Sequence, residues 1–159
     1  MRARLIAIAF AVLLPATAAG PAYASHYYLT DITVFEETMV TEFTRFGYET
    51  TEDVLRGLLT PDLRDAFAYA TGVSPGRLAE IARLCEFLQV TGIGPRAADL
   101  LMAAGVFNVA DLAARDPAAL VAELETVNNV ERITGTNPTF DHVRDWVSGA
   151  GTASYHVEY

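Results

Sequence analysis

Val90-Thr91-Gly92-Ile93-Gly94-Pro95-Arg96-Ala97-Ala98-Asp99-Leu100-Leu101-Met102-Ala103-Ala104-Gly105 decides how the rest of the chain is read. Gly92 and Gly94 bracket one apolar residue. Pro95 follows at a first helical position, where its missing N–H costs nothing. Ala98 is small enough for the new helix to lie close against a preceding one. Gly105 then ends it as a residue that can take positive φ. These residues spell a helix, a tight glycine turn and a second helix.

The stretch resembles the helix-hairpin-helix motif, whose pattern is apolar-Gly-apolar-Gly, three variable residues, then Ala. Where that motif binds DNA, backbone N–H groups at the start of the second helix hold a phosphate, helped by the helix dipole. The resemblance places such a nucleic-acid site at Gly92, Ile93, Gly94 and Arg96, with the Arg96 side chain as the added charge. The same glycines also suit a compact joint between two helices, and hairpin carbonyls can hold a monovalent cation.

Charge argues against a polyanion. Arg2 and Arg4 precede ten apolar residues from Leu5 to Leu14, and Ala22-Tyr23-Ala24 follows. That order describes a secretory signal peptide over 1–24, cleaved near Ala24-Ser25, with an apolar run too short for a comfortable span. The expected mature chain is exported, to a periplasm or the outside, without a stable membrane span. It carries nine arginines, no lysine and 20 carboxylates, a formal −11. Nucleic-acid affinity rests largely on basic side chains displacing counterions, and these arginines stand singly along the chain. Cys85, the one cysteine, sits in the apolar series Leu78, Ile81, Ala82, Cys85, Leu88 and reads as core.

Elsewhere the pattern predicts an all-α fold. Phe35, Met39, Val40, Phe43 and Phe46 give a helix over 33–46. Thr50 or Thr51 caps a short helix to about Leu59. Thr60-Pro61 and Ser74-Pro75 start helices to about Ala70 and Gln89. The turn's second helix spans 95–104. Asn108 caps 109–115, Asp116-Pro117 opens a helix to about Thr126, and Thr139 caps one through Val147. Asn128 to Pro138 reads as a loop and Gly149-Ala150-Gly151 as flexible. Ser154 to Tyr159 alternates as a strand and is expected to pair with Tyr27-Tyr28.

An offset of 58 residues sets Phe43 on Leu101, Gly47 on Gly105, Asp53 on Asp111 and Val54 on Leu112. It also sets Glu36 and Glu37 where Gly94 and Pro95 stand, so carboxylates replace the glycine turn. The expected organisation behind the leader is a tandem helix-hairpin-helix domain over 25–159. It divides into a degenerate first copy over 25–70, an intact second copy over 71–128, and a C-terminal helix and tail over 129–159.

With these elements in place the chain resembles the family called domain of unknown function 4332. The likeness rests on Tyr28 to Ile32, Gly47 with Thr50 to Leu55, Thr71 to Ser74, Ile81 to Leu84, Thr91 to Pro95, Ala103 to Val106, Asp116-Pro117, Asn128, and Pro138 to Phe140 with Val143, Asp145 and Trp146. It implies a tandem helix-hairpin-helix fold and no established activity. Many relatives carry a glycine hairpin at the front as well, where this chain has Val34 to Glu37.

No metal-spaced His/Cys set, Gly-x-Ser-x-Gly elbow or phosphate loop stands in the chain, and no cofactor is implied. His26, His142 and His156 are scattered, and His142 beside Asp141 reads as a solvated face. The expectation is an exported, non-enzymatic binding or scaffold module with a protein partner. The alternative is weak, sequence-independent binding of nucleic-acid backbone at the glycine turn.

Overall fold

The computed structural model describes residues 26–32 and 35–159. The expected leader falls outside them. The chain is all-α: among the described residues eight helices form, α1 (Glu37–Arg45), α2 (Thr51–Gly57), α3 (Pro61–Thr71), α4 (Pro75–Leu88), α5 (Pro95–Ala103), α6 (Val109–Ala114), α7 (Pro117–Glu131) and α8 (Phe140–Ala150). No helix among the described residues is long and apolar enough to cross a membrane.

The helix starts follow from their capping residues. Thr60, Ser74 and Asp116 each accept the amide three residues on, from Leu63 at 3.3 Å, Arg77 at 3.3 Å and Ala119 at 2.9 Å, with proline next in line. Each such cap contributes about 1 kcal/mol. Thr50 and Asp53 form a reciprocal capping box at the head of α2, and Asn108 and Thr139 cap α6 and α8.

Helices α1–α4 and α5–α8 follow the same order, so the repeat as seen in the helices runs to Leu88 and resumes at Pro95, whereas the sequence reading divides the copies at 70/71 and 128/129. In each unit of four, the second and third helices pack on the fourth. The hydrogen bonds repeat at an offset of 58 residues. Tyr48 N–H reaches Phe43 O at 3.0 Å, and Val106 N–H reaches Leu101 O at 3.0 Å. Glu49 N–H donates to Asp53 Oδ2 at 3.1 Å, and Phe107 N–H to Asp111 Oδ2 at 2.8 Å. Gly47 and Gly105 end the first helix of each unit at φ +82° and +80°. Phe43 and Leu101, like Val54 and Leu112, are fully buried. One pair swaps volume between units. Tyr48 lies over Gly57, where an added Cβ would sit 2.4 Å from its ring, whereas Val106 and Arg115 hold these places in the second unit.

Several boundaries differ from the sequence reading. Helix α1 begins at Glu37, because Phe35 turns into the core against Phe43 (ring centroids 5.9 Å apart) and Glu36 stays extended at ψ 145°. Helix α7 runs on to Glu131, through asparagines whose composition suggests a loop. Asn128 is buried in its last turn and ties down the following segment, accepting Thr134 N–H at 2.8 Å and donating to Asn137 Oδ1 at 2.7 Å. Gly149 and Ala150 are helical, and a Cβ on Gly149 would come within 3.2 Å of Val90 Cγ1. Among the described residues, Ser154 to Tyr159 does not pair with Tyr27-Tyr28 as expected. Tyr28 bridges Thr50 instead, and Leu29 N–H and Thr51 N–H complete that short contact at 2.9 Å each. Ser154 to Tyr159 lies extended over α3 and α4, whose buried polar side chains occupy its main chain.

Candidate functional site

The glycine turn between α4 and α5 is built as a joint. Gly92 sits at φ +86°, and a Cβ there would lie 3.3 Å from the Trp146 indole nitrogen on α8. Any other residue would meet both a backbone penalty of about 1–2 kcal/mol and a buried ring. Ile93 is buried at 1 % exposure, so its side chain belongs to the core and only its backbone borders the turn. Gly94 is the N-cap of α5 at φ −90°, and Tyr27 Oη stands 4.0 Å from where its Cβ would be. Cys85 is buried as well, and burial pushes its thiol well above the ordinary range.

Around this turn the four residues singled out from the sequence are divided. The backbone of Gly94 and the exposed Arg96 face outward at the start of α5, which has no side-chain cap. Asp99 stands one turn further on; burial raises its carboxyl pKa, and the Arg96 charge opposes that rise. The added cation therefore has a carboxylate neighbour on its own helix. Glu36 caps the matching helix α1, also without a side-chain hydrogen bond.

A second surface was not visible in the motifs. The outer face of α3 presents Leu63, Ala66, Tyr69 and Ala70 to solvent, with Tyr69 96 % exposed and Leu63 42 %. Phe46, 42 % exposed at the end of α1, rests against Phe67 of α3 with ring centroids 5.0 Å apart. Asp62 and Asp65 edge the face, and Arg45 lies over the Phe46 ring at 5.2 Å. Nothing in the unit's architecture calls for these aromatics. When α7 is aligned with α3 on their Thr60-Pro61 and Asp116-Pro117 starts, Ala119 stands at the place of Leu63 and Glu125 at the place of Tyr69. The comparison of the two copies could have pointed to Tyr69, but only once the helix face turned to solvent was known.

The segment between α7 and α8 borders an open bowl of about 640 Å³ lined by Asn128, Asn129, Arg132 and Thr134 to Asn137. Its amides bond to one another and to the Thr134 backbone. Asn128 and Asn137 pair, and Asn129 Oδ1 accepts from Asn137 at 3.5 Å. His142 is exposed and its ring stacks on Trp146, while neighbouring Asp141 pairs with Arg144 at 2.7 Å. Among the described residues, no group of three or more His, Cys, Asp or Glu side chains could hold a metal ion.

These features define an all-helical protein of eight helices among the described residues, with exposed aromatic and apolar side chains on the outer face of α3. The chain belongs to the family described as Domain of unknown function (DUF4332), which it matches over residues 34–153. No curated protein and no solved structure matches it.

Proposed function

We propose that this chain is an exported, non-enzymatic binding module that docks a protein partner on the outer face of α3. One observation carries the reading: Tyr69 stands almost fully exposed beside Leu63 and Ala66, where the duplicated unit has Glu125 and small residues. A large exposed aromatic is the commonest anchor of a protein interface, and its truncation typically weakens binding by about 2 kcal/mol, roughly 30-fold. The acidic edge from Asp62 and Asp65 favours a partner surface that is apolar at its centre and basic at its rim. Affinity capture from the exported fraction with wild type and Tyr69→Glu tests this. One protein retained by wild type and lost with Tyr69→Glu is expected; equal recovery with both removes α3 as the site.

The second reading treats the α4–α5 turn as a helix-hairpin-helix phosphate cradle. The uncapped start of α5 beside exposed Arg96 favours it. The chain's formal −9 and the Asp99 carboxylate oppose it. It predicts weak duplex binding at low salt, with a shallow salt slope, lost on Arg96→Ala and on Gly94→Glu. Anisotropy unchanged by either substitution rejects this second reading.

A further inference from the structure

The C-terminal residues 154–159 are held by three buried polar side chains that address their main chain. Gln89, the C-cap of α4, accepts Ser154 N–H at 3.1 Å and Tyr155 N–H at 3.0 Å, and donates to Tyr155 O at 2.6 Å. Glu86, one turn earlier and 0 % exposed, accepts Val157 N–H at 3.3 Å. Arg64 of α3 donates to Glu158 O at 2.5 Å and to Leu58 O and Leu59 O at 2.8 and 3.2 Å, and Glu158 N–H returns to Leu59 O at 2.9 Å. Val157 is buried beneath, and the Tyr159 ring rests on Phe107 with centroids 4.5 Å apart. The segment is a strap thrown from the second unit back over the first.

Its weak point is Glu86. Oε1 has one long hydrogen bond, and Oε2 has no partner among the described residues. The groups facing it come from each element packed around it. Arg83 shares its helix, with its own Nε buried and unpartnered and its guanidinium 5.7 Å over the Phe107 ring. His156 Nδ1 at 3.8 Å and the Tyr159 hydroxyl come from the strap, and the Val109 N–H comes from α6. From α3, Arg64 is turned to the strap's carbonyls and the Tyr159 ring instead, 5.9 Å from that ring's centroid. Shut from water by the strap, a charged carboxylate here is less favourable than a protonated one, and these neighbours offset only part of that cost.

We propose that residues 154–159 form a pH-released strap, docked while Glu86 carries a proton and let go when Glu86 becomes charged and regains water. Burial pushes the Glu86 carboxyl up to about 7, against the pull of the Val157 and Val109 amides, the Arg83 charge and the Tyr159 hydroxyl. The change therefore falls near neutral pH. Docking favours the protonated carboxyl, so by linkage raising the pH weakens docking. Release bares Phe107, Arg64 and Gln89, side chains now committed to the strap.

The test is an NMR titration of the full chain from pH 5 to pH 9, following the Glu86 side-chain carboxyl carbon and the amides of 154–159. Both are expected to change with one midpoint near 7. Exchange protection of the Val157 and Glu158 amides, corrected for intrinsic rates, should fall at least ten-fold across the range while that of Leu84 in the core holds. Glu86→Gln should remove the pH dependence of strap protection. A Glu86 midpoint in the ordinary carboxylate range overturns the proposal, as does strap protection that ignores pH. If the variant does not fold, the two wild-type midpoints decide it by coinciding or not.

Discussion

Replacing Gly92 by alanine separates two costs that the turn combines. At φ +86° an alanine pays about 1–2 kcal/mol for the left-handed backbone. Its Cβ would also stand 3.3 Å from Trp146 Nε1, tighter than ordinary contact, and the ring, 6 % exposed, has little room to retreat. That adds on the order of 1 kcal/mol of overpacking, for a total loss of about 2–3 kcal/mol. Gly105→Ala supplies the backbone term alone, since its φ is +80° and nothing lies within 4 Å of the added carbon. Gly76→Ala, in the first turn of α4 with open space around it, should stabilise by about 0.5–1 kcal/mol. Urea unfolding followed by fluorescence of Trp146, the chain's single tryptophan, reads all three and senses the contact itself. Gly92→Ala no costlier than Gly105→Ala would refute the reasoning that the glycine is there to admit the indole.

Three further substitutions address the packing and the buried carboxylate. Gly57→Ala drives a Cβ into the Tyr48 ring, which is stacked on Phe67 at 5.9 Å, and should destabilise by about 2–3 kcal/mol. Tyr48→Val, which supplies the second unit's smaller residue, should recover part of that loss in a double-mutant cycle; strictly additive effects would contradict the pairing. For Glu86 the sign follows from its direction of shift. A carboxyl raised from 4.5 to about 7 in the folded chain makes no difference below about pH 4.5. Above that it lowers stability progressively, by at most about 3 kcal/mol past pH 7, because release of the strap caps the loss at the free energy of docking. Glu86→Gln should therefore gain up to about 3 kcal/mol relative to wild type between pH 4.5 and pH 8, measured by denaturation at each pH, and a difference constant with pH contradicts it.

The helix starts were legible because each is written locally. Thr60-Pro61, Ser74-Pro75 and Asp116-Pro117 carry cap and first helical residue side by side, and the 58-residue offset carried Gly47 onto Gly105. Residues whose role is set from a distance were not legible. Asn128 and Asn129 have loop-like composition, yet the Asn128 amide finds its partners in Thr134 and Asn137 and the helix continues beneath it. Glu86 looks like an ordinary helix-surface acid until Val157, 71 residues later, closes over it. The terminal segment has strand alternation, but the edge it was expected to join is taken by Glu49 to Thr51, and α3 and α4 offer a better-equipped surface. The site residues divided for a similar reason. Gly92 and Gly94 identify a turn from sequence alone, whereas the Trp146 ring against that turn arrives from the far end of the chain.

A photo-crosslinking amino acid placed at 69, compared with the same group at 125 in cells that make the protein, tests the docking role of α3 most directly. The two positions share a place in the duplicated unit, so they differ in surface and not in local architecture. One crosslinked protein at 69, absent at 125 and diminished by Leu63→Glu, is the result this account predicts. No adduct at 69, or the same adducts at both positions, would contradict it.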